Sequence, residues 1–94
     1  QRQMCIRDRL ERQLRLLQPS IIVCLGRIAA MRLIRPDFRI TREHGQWFER
    51  NGVRYLAMYH PSALLRDPAR RPETYTDLLT LREAVRTLGP LPNA

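Results

Sequence analysis

The residues best suited to chemistry stand together in one stretch, Tyr59-His60-Pro61-Ser62-Ala63-Leu64-Leu65-Arg66-Asp67-Pro68. An imidazole offers a donor and an acceptor nitrogen near neutral pH. His60 therefore fits a hydrogen-bonding role toward a substrate as well as that of a satisfied structural histidine. Ser62 suits either the cap of a turn over 63–65 or a polar contact to a ligand. Leu64 and Leu65 lie among Arg, Asp and Pro. They would either pack inward or act as a wedge pushed into a base stack. Arg66, Arg70 and Arg71 follow, as a solvated charge run or as contacts to phosphate. The second histidine, His44, has no Cys or His at metal-ligand spacing and reads as a solvated or hydrogen-bonded loop residue.

The elements that must position these residues are legible in outline. Leu10, Leu14, Leu16 and Leu17 recur at helical spacing between charged residues, and Pro19 stops the pattern. Ile21-Ile22-Val23-Cys24-Leu25 is a continuous, β-branched apolar run, the pattern of a strand covered on both faces in a parallel sheet. Gly26 ends it, and 28–33 reads as a short helix. Residues 35–45 read as a polar loop. Asn51-Gly52 between 46–50 and 53–59 is a hairpin signal, with Trp47 and Phe48 as core candidates on its first arm. Pro61 forces His60 out of helical geometry, so the second arm gives way to a loop there. Strand ends of this kind line the ligand crevice of open α/β sheets. A basic loop, 66–71, then leads into a final helix starting near 72–74. Its expected buried stripe is Leu78, Leu81, Ala84, Val85 and Leu88, and Gly89-Pro90 ends it. Helix, strand, glycine, helix is the rhythm of an α/β layered domain.

Composition narrows the partner. All 17 basic residues are Arg, against 9 acidic ones, for a net charge of +8. A guanidinium grips phosphate through two parallel bonds, so this balance suits a polyanion. GC-rich coding would also favour Arg over Lys, which leaves the sign of the charge as the firmer signal. The longest apolar run is strand-sized, so no membrane partner is expected. The polar, Arg-rich opening has no secretory pattern, and a cytoplasmic monomer is the expectation. Cys5 and Cys24 form no disulfide framework, and Cys24 reads as a buried small hydrophobe.

His60-Pro61-Ser62-Ala63-Leu64-Leu65-Arg66-Asp67-Pro68 resembles the second active-site motif of the uracil-DNA glycosylase superfamily. Its continuation through Arg71-Pro72-Glu73 and Asp77-Leu78 is similar to the iron–sulfur-containing branch, family 4. Upstream, Leu10-Glu11-Arg12-Gln13-Leu14, Ile22-Val23-Cys24-Leu25-Gly26-Arg27, Ile40-Thr41 and Gly45-Gln46-Trp47-Phe48 match in the same order. The resemblance implies a three-layer α/β/α domain with a mostly parallel sheet, truncated at its N-terminus and running over 10–94. It implies hydrolysis of the bond joining uracil to deoxyribose in DNA, on a base flipped out of the stack. His60 would be the catalytic donor to the uracil O2, Ser62 a phosphate contact, Leu64 the wedge with Leu65 beside it, and Arg66 a backbone contact.

The resemblance also implies parts that this chain does not match. The water-positioning Gly-Glu-x-Pro-Gly motif has no counterpart here. A [4Fe–4S] cluster is implied in the full-length parent, held by four cysteines. The last of these stands just before the Leu-x-x-Gln helix, where this chain has Ile6, with Cys5 one residue out of register as the candidate ligand. Residues 1–9 do not resemble the family and read as a non-native segment of adapter type. The chain alone is expected to lack activity. Two other readings remain open: a relative that traps its product covalently, and a basic, non-catalytic DNA-binding module.

Overall fold

The computed structural model describes residues 9, 10, 12, 13 and 16–88. Strand β1, Ile21–Leu25, begins after Pro19 breaks the leading helical turns. It runs parallel to β3, Val53–Met58, which pairs antiparallel with β2, Trp47–Arg50. The sheet order is β1-β3-β2, so the sheet is mixed and β3 is central. Asn51 (φ 54°) and Gly52 (φ 80°) both adopt the left-handed geometry that a tight two-residue hairpin turn needs.

Strand register decides which side chains share a face. Ile22 is opposite Tyr55, and Cys24 is opposite Ala57. This face carries the main core, in which Cys24 and Ala57 meet Ala30, Ile34 and Phe38, with Phe48 edge-on to Phe38 at 5.6 Å between centroids. Helix α1, Arg27–Leu33, covers it. Leu56 and Met58 point the other way by strand alternation and are buried as well. Coverage on both faces of β3 is what an α/β/α layering requires.

Three expectations need correction. Residues 35–45 are not a plain loop. Phe38 is buried in the core, and Ile40–Glu43 forms one helical turn, α2. Its end is closed locally, since the Arg39 N–H donates to Glu43 Oε2 at 2.8 Å and Glu43 also pairs with Arg35. Strand β1 is only partly covered among the described residues. Cys24 is its one buried residue, Leu25 is 49% exposed, and β3 is the strand it pairs with.

The third correction concerns the last helix, α4, Arg71–Leu88, which follows a short helix α3, Pro61–Arg66, and a 3₁₀ turn, Pro68–Arg70. Leu78, Val85 and Leu88 are each about half exposed, and the buried residues are Thr74, Asp77 and Ala84. Of the expected stripe, Ala84 is buried and Leu81 half-buried, so the inward face is shared with Thr74 and Asp77, and it is Leu78, Val85 and Leu88 that are turned out. Asp77 is buried on this helix, and its carboxylate meets His44.

Candidate functional site

His60 follows the end of β3 by two residues and caps α3. Its backbone is extended (φ −67°, ψ 144°), as the following Pro61 dictates, and Pro61 occupies the first helical position, where no N–H is needed. The Ser62 N–H donates to His60 Nδ1 at 3.1 Å, and Ser62 Oγ lies 2.9 Å from the same nitrogen. A backbone N–H can only donate. Nδ1 is therefore the accepting nitrogen, and the neutral ring carries its proton on Nε2. The capping residue is His60 itself rather than Ser62. The ring is exposed and lines an open cleft of about 580 Å³ together with Gly26, Arg27, Thr41, Ser62 and Arg66.

Gly26 brings the other wall of this cleft close. Its N–H donates to Met58 O at 2.8 Å, which ties the end of β1 to the end of β3. Its backbone sits at φ 94°, ψ 168°, a region that is glycine's almost alone. A Cβ there would lie 3.2 Å from His60 Cβ. Sequence reasoning took Gly26 only as a strand terminator. Arg27, exposed beside it at the start of α1, was matched to the family without being given a role, though its place directly after a strand end was the available signal.

The remaining candidates separate. Leu65 is 78% exposed, whereas Leu64 is half-buried. Arg66, in the last turn of α3, is exposed on the cleft. Ser62 has both its N–H and its hydroxyl turned toward His60. Arg70 also lines the cleft, half-buried, with its guanidinium tied down. It donates to Tyr59 Oη at 2.6 Å and pairs with Asp67 at 3.2 Å. Burial raises the Tyr59 phenol above its ordinary value, with the Arg70 charge pulling the other way. His44 is hydrogen-bonded and partly buried, with Nδ1 2.7 Å from Asp77 Oδ2.

Cys5 and the segment before Arg9 lie outside the described residues. Among the described residues no group of three or more His, Cys, Asp or Glu is placed to hold a metal. Cys24 is buried and its thiol is pushed up to about 11, which disfavours the thiolate that an iron–sulfur cluster needs. The described residues thus do not fit a cluster. Nor, among them, is any helix long and apolar enough to cross a membrane. A second hollow, about 610 Å³ around Pro19, Arg50 and Val53, has no imidazole, carboxylate or thiol on its wall.

The chain is 40% identical over 84 residues to the type-4 uracil-DNA glycosylase of Archaeoglobus fulgidus, a match covering 81% of this chain and 42% of that protein. The chain thus spans less than half the length of this relative. The family model of the uracil DNA glycosylase superfamily matches residues 2–83. With the sheet, the cleft and the His-Pro-Ser turn already in place, that match settles the family: the chain belongs to the uracil DNA glycosylase superfamily.

Proposed function

We propose that the protein containing this chain excises uracil from DNA by hydrolysing its N-glycosidic bond, with His60 as the catalytic donor. As the bond between C1′ and N1 breaks, the base departs with the bonding electron pair, and negative charge spreads onto O2. A hydrogen bond aimed at that oxygen is stronger in the transition state than in the ground state, and so accelerates the step. The observation that carries this reading is the Ser62 N–H donating to His60 Nδ1, which leaves Nε2–H as the donor available to the cleft. Ser62 serves first to fix the ring. Its hydroxyl would reach a phosphate only by turning away from Nδ1.

Around this donor, Leu65, with Leu64 behind it, would fill the space left by the flipped nucleotide, and Arg66 and Arg27 would follow the phosphate backbone. The uracil-containing strand is the partner. Positioning of the attacking water, and any [4Fe–4S] cluster, are assigned to parts of the parent other than the described residues.

The test is single-turnover cleavage of a uracil-containing oligonucleotide by the full-length parent and its His60→Ala variant. Removing a donor of this type slows bond breaking by roughly 10²–10³-fold, with DNA affinity nearly unchanged. Unchanged cleavage would defeat the assignment of His60, and a full-length parent that binds DNA without releasing uracil would favour a non-catalytic DNA-binding role.

A further inference from the structure

Tyr59 precedes His60 in the chain, and its ring is held by other parts of the molecule. It is 5% exposed, between the end of β3 and the cleft. The His44 ring lies 4.8 Å away, tilted by 42°. The Arg70 guanidinium donates to the phenol oxygen at 2.6 Å, with its carbon 4.9 Å from the ring centroid. Glu73 Oε2 is 3.8 Å from His44 Nε2 and 3.9 Å from Arg70 Nη1, close to both.

His44 is itself fixed from two directions. Asp77, 4% exposed on α4, accepts from its Nδ1 at 2.7 Å. The next residue, Gly45, donates its N–H to Ala57 O in β3 at 2.9 Å. Gly45 also lies so close to Asp77 that any Cβ there would overlap the Oδ1 atom. A buried carboxylate is stable only when paired, so the Asp77–His44 contact holds the His44 ring at one place against Tyr59.

We propose that Tyr59 is a positioning residue for His60, and that His44, anchored by Asp77, together with Arg70 acts on bond cleavage through it. The proposal rests on the reading of His60 as the O2 donor. The physical link is the shared peptide. Any turn of the Tyr59 backbone rotates the plane joining it to His60 and carries the imidazole along. An oxyanion-type donor works only within about 2.7–3.1 Å of its target, and a misplacement of about 1 Å costs roughly 10²-fold in rate. Tyr59 is buried, so its own substitution would move the rate of the chemical step and leave DNA affinity in place.

The informative variants are Tyr59→Phe, which keeps the ring but gives up the Arg70 bond, and His44→Gln, which keeps a donor for Asp77 but removes the ring against Tyr59. Each is made in the full-length parent, alone and together with His60→Ala. Single-turnover rates are measured on uracil-containing duplex, and binding on a duplex carrying a non-cleavable uridine analogue. The expected result is a loss of roughly tenfold in rate for His44→Gln and a smaller loss for Tyr59→Phe, with affinity held within about twofold. In the His60→Ala background neither substitution should slow cleavage further, since groups that act as a unit are not additive. Losses that multiply in the double variants, wild-type rates in both single variants, or weakened binding that accounts for the loss would each overturn the proposal. If His60→Ala alone leaves the rate intact, it is the reading of His60 that fails.

Discussion

Replacing Gly26 with alanine separates backbone strain from displacement of the candidate donor. At φ 94°, ψ 168° a side-chain-bearing residue costs about 1–3 kcal/mol. The added Cβ would also sit 3.2 Å from His60 Cβ and 3.9 Å from Cγ and Cδ2 of the ring. That first contact is a few tenths of an ångström too close. The Gly26 N–H is tied to Met58 O at 2.8 Å, which holds the glycine in place, so His60 is the partner that gives way. Together the two effects destabilise by about 2–3 kcal/mol, or a fall in Tm of roughly 4–12 °C in a protein of 150–250 residues. A shift of a few tenths of an ångström, set against about 10²-fold for 1 Å, lowers the single-turnover rate by roughly three- to tenfold. Gly52→Ala is the control. Its φ of 80° is also unfavourable, but nothing lies within 4 Å of the new Cβ. It should lower Tm through about 1–2 kcal/mol of strain and leave the rate at wild type. Thermal melts and single-turnover cleavage well below Tm measure both quantities. Equal rates for Gly26→Ala and Gly52→Ala would refute the close approach of Gly26 to His60.

Three further outcomes are expected. Leu65→Ala should slow cleavage of duplex substrate more than of single strands, because only a duplex must be held open; half-buried Leu64→Ala should show mainly as roughly 1–2 kcal/mol of lost stability in denaturant melts. Arg66→Ala should reduce the slope of log affinity against log salt by about one, measured by titrating DNA at several salt concentrations, while an unchanged slope would remove Arg66 from the phosphate contacts. Cys24, buried with its thiol pushed up to about 11, should resist iodoacetamide in the native state and react fully in denaturant. Its folded pKa lies above the ordinary 9.0, so the stability it contributes is complete below pH 9 and declines as pH rises from 9 toward 11. Alkaline melts of wild type against Cys24→Ala would show the difference.

The parts of the molecule legible in the sequence are those encoded by neighbours in the chain. The run Ile21–Leu25 is a strand, Asn51-Gly52 turns a hairpin, and Pro61 breaks the strand path so that His60 stands at a sheet end. The candidate donor, its hydrogen-bonding partner and the exposed leucine are contiguous from His60 to Leu65, which is why residue order and the resemblance it carries could mark them as candidates. Residues 40–43 were misread because their helical turn depends on Glu43 reaching back to Arg39 and on Phe38 entering the core, neither of which leaves an apolar period.

The final helix shows why periodicity also misplaced what supports the site. Counting hydrophobic residues turns Leu78, Leu81, Ala84, Val85 and Leu88 inward together. Ala84 is buried and Leu81 half-buried as that count expects, but Leu78, Val85 and Leu88 are about half exposed, while Thr74 and Asp77 are buried. Each half-exposed leucine forgoes part of a burial worth about 1.5–3 kcal/mol. Asp77 is buried on the same helix, and a buried carboxylate has to be paired, here with His44. The two residues are 33 positions apart, and a pair of that kind has no signature in either local stretch. The same pair fixes the ring that lies against Tyr59, one residue before His60. If Tyr59 positions His60 as proposed, this polar contact, which leaves no mark in the hydrophobic pattern, is the one that reaches the candidate donor, and a helix turned to suit its leucines would leave the His44 ring without its anchor.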